Sequence, residues 1–236
     1  MFYNVTASDF IDYDSWSLES GETKTEVYKL TKRPIIADRT LRFAVISDYD
    51  ISDAGQKTLK DLEALDSDKY DFLLHIGDFA YDIEDNNGEK GDKFFEKMSK
   101  TFSTRIPYMI TAGNHETELD SDNGNLLFYR FNMTGFPVAL QNDPTFPPNS
   151  AYTFKAKNAF FVHVNFDLLF KNYTIEREAK LLSWLDSELD LARKSWSHVD
   201  WVIFYAHRPF YCTDMREEVD DCKTNMFYFR KVETVL

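Results

Sequence analysis

The sequence predicts an α/β fold of two sheets covered by helices. Three observations predict it. Short apolar runs such as LRFAVIS (41–47) and YDFLLHI (70–76) alternate with segments whose apolar residues recur at helical spacing, the βαβ order of a parallel sheet. Two later runs, AYTFK (151–155) and AFFVHVNF (159–166), lie close enough to form a hairpin in a second sheet. Several runs end at polar residues of chemical interest: Asp48, Asp78, Asn114, His115 and His207. The carboxyl ends of strands are where an open α/β sheet presents its chemistry.

Taken in order, residues 1–38 are polar and have no clear period. Lys24–Leu30 alternates and reads as one strand. Arg33-Pro34 breaks it, and the stretch to Thr40 reads as a linker. Leu41–Ser47 is expected as a buried strand, Gln56–Leu65 as a helix and Tyr70–Ile76 as the next strand. Gly91–Phe102 places Phe94, Phe95, Met98 and Phe102 at helical spacing. Pro107–Thr111 is a short strand, followed by an acidic, Asn-rich loop from Glu116 to about Asn125. After the hairpin, Thr174–Lys194 is the clearest helix. Thr174 is its cap, and Leu181, Leu182, Leu185, Leu189 and Ala192 form its apolar face. His198–Ala206 is a final strand running into His207.

Composition bounds the function. A chain of 236 residues can bury a full core in one domain, and 43% hydrophobic residues with 21 Phe and 13 Tyr mark it as folded. A net charge of −13 argues against nucleic acid, which needs a basic face. It does not argue against an anionic phosphate substrate where bound metals set the local charge. No apolar run approaches the ~18 residues of a membrane helix. Met1-Phe2-Tyr3-Asn4 lacks the basic-then-apolar pattern of a signal peptide. Cys212 and Cys222 lie ten apart in a polar segment after His207; they read as a disulfide clamping a loop in an oxidising compartment, and otherwise as two free thiols. Sequons at Asn4, Asn132 and Asn172 lean towards a secreted glycoprotein. No nucleophile elbow and no P-loop occur, which removes serine-hydrolase and P-loop nucleotide chemistry.

Asp48, then Asp78 with Tyr81, then Asn114 with His115, then His207, is an ordered set of hard and borderline oxygen and nitrogen donors. Such a set suits a pair of transition metals rather than Ca²⁺ or Mg²⁺ alone. Each residue taken singly has a blander reading. Asp48 is a strand-end turn residue, Tyr81 a half-buried aromatic, Asn114 a helix cap and His207 a satisfied sheet-edge histidine. His75 reads as packing or support for a ligand, His163 as structural and His198 as solvated.

The four blocks in this order resemble the purple acid phosphatases, a branch of the binuclear metallophosphoesterases. That signature reads D-x-G, G-D-x-x-Y, G-N-H-E/D, V-x-x-H and G-H-x-H. Gly77-Asp78-Phe79-Ala80-Tyr81 and Gly113-Asn114-His115-Glu116 match fully. Asp50 stands where the first block has glycine, and Phe204 stands where the fourth has valine. The fifth block is absent, since no histidine follows His207. The resemblance implies an αββα metallophosphoesterase sandwich over residues 41–236, incomplete at the C-terminus. Residues 1–40 would be the remnant of an N-terminal β-sandwich plus linker. It implies Fe³⁺ with a divalent Fe²⁺, Zn²⁺ or Mn²⁺, held by Asp48, Asp78, Tyr81, Asn114 and His207, with Asp78 bridging. It gives His115 the phosphate and leaving group to contact. The implied activity is hydrolysis of small phosphate monoesters, in a secreted, lysosomal or vacuolar setting. Two other expectations stand beside it. One is a catalytically incomplete or non-enzymatic chain, because each metal would lose one histidine with the fifth block. The other is a phosphodiesterase of the same superfamily, which Tyr81 disfavours.

Overall fold

In the computed structural model, two three-stranded sheets lie face to face around an aromatic layer. The structure describes residues 40–119, 130–133, 140, 146–147, 149–167, 174–195, 199–211 and 229–235, and the backbone of short strands before residue 40. These early strands are β1 (Tyr3–Val5), β2 (Ser15–Trp16), β3 (Glu19–Ser20), β4 (Thr23–Lys24) and β5 (Tyr28–Lys29). The stretch expected as one strand thus overlaps the end of β4 and contains β5, which have different antiparallel partners, β3 and β2. Alternation marks strand character but does not choose the partner. β1 pairs in parallel with β9 (Phe131–Met133), which ties the N-terminal segment to the body of the fold.

The first sheet has the order β6 (Phe43–Ile46), β7 (Phe72–Ile76), β8 (Tyr108–Thr111), all parallel. Helices α1 (Gln56–Glu63) and α2 (Glu89–Met98) lie on its crossovers, as parallel connection requires. Both bury one apolar face: Leu59 and Leu62 from α1, and Phe94, Phe95 and Met98 from α2. The second sheet has the order β10 (Ala151–Ala156), β11 (Ala159–Val164), β12 (Trp201–Tyr205), with the expected hairpin antiparallel and β12 parallel to β11. Helix α3 (Ile175–Ser195) follows its predicted bounds, and the Thr174 hydroxyl accepts from Arg177 N–H at 3.1 Å, the expected cap, worth about 1 kcal/mol.

Period-two alternation sorts the second sheet's side chains. Phe154 and Phe161 turn inwards and stack at 4.7 Å. They meet Phe72 of β7 edge-to-face at 5.4 and 5.2 Å, and Phe43 of β6 meets Phe161 at 5.4 Å. Phe160, Val162 and Val164 turn outwards against Leu181, Trp184, Leu185 and Leu189 of α3. The layers are therefore helix, sheet, sheet, helix, the αββα arrangement.

Two expectations are corrected. Leu41–Ser47 was expected to be buried, yet Val45 of β6 is 50% exposed; among the described residues β6 is an edge strand with one hydrogen-bonded neighbour. Apolar character tells what a strand can bury, not how many neighbours it has. The loop from Glu116 begins instead as a π-helical turn, His115–Leu119. Residues 229–233 are helical. Cys212, Cys222, His198 and Asn172 lie outside the described residues, as do the side chains of Asn4 and Asn132. Among the described residues no helix is long and apolar enough to cross a membrane.

Candidate metal centre

The carboxyl ends of β6, β7, β8 and β12 converge on one polar cluster. Parallel pairing aligns the first three: Ile46 opposes His75, and Ile76 opposes Thr111, so each strand delivers its following loop to the same edge. Beyond β6 and β7 the chains continue to pair, with Asp48 N–H on Gly77 O at 3.2 Å and Tyr49 N–H on Asp78 O at 3.3 Å.

These loops are strained. Asp48, Asp78, Ala80 and Tyr81 have φ of 52, 56, 62 and 39°, the left-handed region, which costs a residue with a side chain on the order of 1 kcal/mol or more. Gly77 at φ 92° avoids that cost and meets a second demand. A Cβ on Gly77 would run into the His207 ring, and one on Gly113 would strike the Asp78 carboxylate. The glycines of the two matched blocks are thus spaces that the functional side chains occupy.

Glu116 explains how the strained loops hold together. It is fully buried, and its carboxylate accepts N–H groups from Asp78 at 3.0 Å, Phe79 at 2.8 Å and Gly113 at 2.8 Å. One side chain thereby clamps the β7 loop to the β8 loop. Burial pushes its carboxyl up to about 8, and the three donors pull the other way. Both oxygens act as acceptors.

An oxygen of Asp48, an oxygen of Asp78 and a ring nitrogen of His207 all lie within 4.8 Å of one another. The Tyr81 hydroxyl donates to Asp48 Oδ1 at 2.9 Å, and Ser47 Oγ donates to Asp48 Oδ2. Asn114 Oδ1 is 3.0 Å from His207 Nε2. Hence Asp48, Asp78, Tyr81, Asn114 and His207 are brought together. His115 stands beside them: its N–H donates to Asp78 Oδ1 at 3.2 Å, its Nε2 lies 3.8 Å from Asp78 Oδ2, and its ring meets Tyr81 edge-to-face at 4.6 Å.

The donor set suits a bound cation. His207 Nδ1 donates to Ile76 O at 2.8 Å, so a neutral ring turns the Nε2 lone pair towards Asn114 Oδ1. Two acceptors 3.0 Å apart need a proton or a cation between them. Burial raises the Asp78 carboxyl above its ordinary range, and His207 with the His115 N–H only partly offsets this. The Tyr81 phenol is raised above its usual value by burial first and by its bond to Asp48 second. A phenolate at that position therefore requires a strongly acidic cation.

Two side chains that sequence reasoning missed support this cluster. Asp82 Oδ1 is 2.6 Å from His115 Nδ1 and fixes the ring so that Nε2 faces the centre. Glu116 is the other; the fourth letter of Gly-Asn-His-Glu signalled it, but burial assigns its role. Behind His207, Arg208 Nε donates to the buried Asp167 carboxylate. Asp50 does not join the centre. Its Oδ1 accepts from Ser52 N–H at 3.2 Å and Ser52 Oγ at 2.7 Å, closing a turn. His75 and His163 are buried, as expected. His75 Nδ1 is bonded to Tyr108 OH at 2.7 Å, and burial lowers both rings to about 3, so they stay neutral.

Fold and centre together define a metallophosphoesterase. Residues 41–232 match the calcineurin-like phosphoesterase family, and the chain belongs to it. Within that family the likeness is to acid and purple acid phosphatases. Acid phosphatase type 7 of Homo sapiens is 31% identical over 162 residues, covering 69% of this chain and 34% of the relative. Phosphoenolpyruvate phosphatase of Allium cepa is 24% identical over 210 residues, covering 86% of this chain and 41% of the relative. The chain thus spans about a third of the length of the first of these relatives. Among solved structures, the purple acid phosphatase from yellow lupin seeds has a TM-score of 0.54 at 20% identity, over 81% of this chain and 35% of that one, a likeness of fold.

Proposed function

We propose that residues 41–236 form the catalytic domain of an acid phosphatase acting on small phosphate monoesters through a binuclear Fe³⁺–M²⁺ centre. The convergence of Asp48, Asp78 and His207 within 4.8 Å, flanked by Tyr81 and Asn114, carries this reading. Asp48 and Tyr81 would hold the ferric ion, Asn114 and His207 the divalent ion, and Asp78 both. Such a metal pair, when bound, lowers the pKa of water and neutralises phosphoryl oxygens, with ferric acidity favouring an acid optimum. The chain's own residues do the rest. His115 presents Nε2 to the centre while Asp82 holds Nδ1, an arrangement able to hydrogen-bond a phosphoryl oxygen and to pass a proton to the leaving oxygen. Gly77 and Gly113 keep the space that His207 and Asp78 need. The family likeness favours a secreted, lysosomal or vacuolar setting.

One observation favours a second reading, metal and phosphate binding without turnover. On this assignment each cation has three ligands, and among the described residues neither buried histidine joins the cluster, since His75 bonds Tyr108 and His163 contacts the Tyr205 carbonyl. The deciding experiment loads the protein with Fe³⁺ and Zn²⁺ and compares p-nitrophenyl phosphate with its bis-ester. Monoester turnover lost in His115→Ala supports the phosphatase. Phosphate binding without turnover supports the second reading, and preference for the bis-ester overturns the first.

A further inference from the structure

Among the described residues no strand of one sheet pairs with a strand of the other, so apolar packing sets most of their relative position. Besides the His207–Ile76 bond, a second polar link joins the two sheets. Tyr152 of β10 opposes His163 of β11, which opposes Tyr205 of β12, so the three form one row across the second sheet. Tyr205 OH donates to Tyr152 OH at 2.8 Å, and Tyr152 OH donates to the Ile110 carbonyl of β8 in the first sheet. His163 braces the row, its ring 4.9 Å from Tyr152 and 5.2 Å from Tyr205.

The ends of this chain of bonds carry its meaning. Tyr205 stands two residues before His207, and Ile110 stands four before Asn114. Those two side chains meet at 3.0 Å although they come from different sheets. Phenylalanine would fill the same space, and this chain uses 21 of them. A bonded buried hydroxyl gains only about 1 kcal/mol net over phenylalanine, because desolvation offsets most of the bond, so what the two hydroxyls add above all is direction. A bonded hydroxyl fixes a distance that apolar faces leave free to slide.

We propose that Tyr205 and Tyr152 are positioning residues that set the separation of His207 from Asn114, and through it the affinity of that half of the centre for a divalent ion. The last step rests on the metal-centre reading; the positioning itself does not. Tyr205→Phe is the clean variant, because Tyr152 keeps its bond to Ile110. Tyr108→Phe, which removes a buried hydroxyl bonded within the first sheet, is the control. Two readouts apply. In metal-free protein with ¹⁵N-labelled histidine, solvent exchange of the His207 Nδ1–H, bonded to Ile76, should quicken ~10-fold in Tyr205→Phe and stay unchanged in Tyr108→Phe. In a Co²⁺ titration followed by visible absorption, Tyr205→Phe should bind ~10-fold more weakly, the low end of what a residue supporting a ligand is worth. Equal exchange in the two variants overturns the proposal. Should the parent bind no Co²⁺ while the exchange effect persists, the metal reading falls and the positioning stands. Should Tyr205→Phe not fold, Tyr152→Phe is read by the same two measures.

Discussion

The two halves of the centre are held by different means. Asp48, Asp78 and Asn114 come from adjacent parallel strands of one sheet, and backbone bonds plus the Glu116 clamp fix them to each other. His207 comes from the other sheet, after β12. It is held by its bond to Ile76, by Arg208 on Asp167 behind it, and by the tyrosine row beneath it. The first half is local and self-braced; the second depends on how two sheets dock. Damage to the first half should therefore appear as lost stability, and damage to the second first as lost metal affinity.

The largest expected effect breaks the first half. Glu116→Leu fills the space but strands three buried N–H groups, each costing ~1–3 kcal/mol when unmade. We expect a loss of about 4 kcal/mol in the urea unfolding free energy of metal-free protein. Glu116→Gln, which keeps an acceptor, should lose clearly less. Equal losses would mean that volume, not hydrogen bonding, is what Glu116 supplies.

Arg208→Met tests the second half. It leaves Asp167 buried without its guanidinium, and breaking a buried pair at one partner costs ~3–5 kcal/mol. Other contacts of Asp167 keep the expected loss near the lower end, about 3 kcal/mol. Metal affinity should fall with it, unlike in an equally destabilised variant of α1 such as Leu59→Ala. Unchanged affinity at matched stability would remove Arg208 from the support of His207.

The interior between the halves has its own pH signature. His75 and His163 titrate near 3 when folded and near 6.5 when unfolded. Below pH 6.5 the unfolded chain therefore binds more protons, and stability falls as the pH drops towards 3. Between pH 6.5 and 5 each ring removes about 2 kcal/mol. In EDTA-treated protein, His163→Phe should lose about 2 kcal/mol less than the parent over that interval, whatever its offset at pH 7. An unchanged difference would mean that His163 charges without unfolding.

Much of this comparison was legible in the sequence, and the rest failed for identifiable reasons. The strand-end positions of Asp48, Asp78, Asn114 and His207 could be read because apolar runs stop there. Helix α3 was placed within a residue because its cap and apolar stripe agree. Glu116 and Asp82 were not assigned, because a carboxylate's role depends on what surrounds it, and an acidic residue beside a motif is ordinary. The exposure of Val45, and of Trp201 at 65%, was hidden because an apolar run does not say whether its strand lies at an edge. The Tyr152–Tyr205 link was hidden because the partners lie 53 residues apart and meet only once β11 stands between them.

The smallest stability effect belongs to Tyr81, and it sharpens the comparison most. Its hydroxyl makes one hydrogen bond, to Asp48, at the partly open edge of the first half. Tyr81→Phe should change the unfolding free energy of metal-free protein by less than about 1 kcal/mol, the net worth of one such bond. The same change should abolish the visible phenolate-to-iron absorption of Fe³⁺-loaded protein, because no other tyrosine hydroxyl bonds to a proposed ligand among the described residues. Weak metal binding would make that band faint in the parent, so it is read at saturating Fe³⁺ and scaled to bound iron. A band of equal intensity per iron in the Phe variant would remove Tyr81 from the ferric site. The fold argument would survive, and Asp48 with Asp78 would be left to hold that cation without a phenolate.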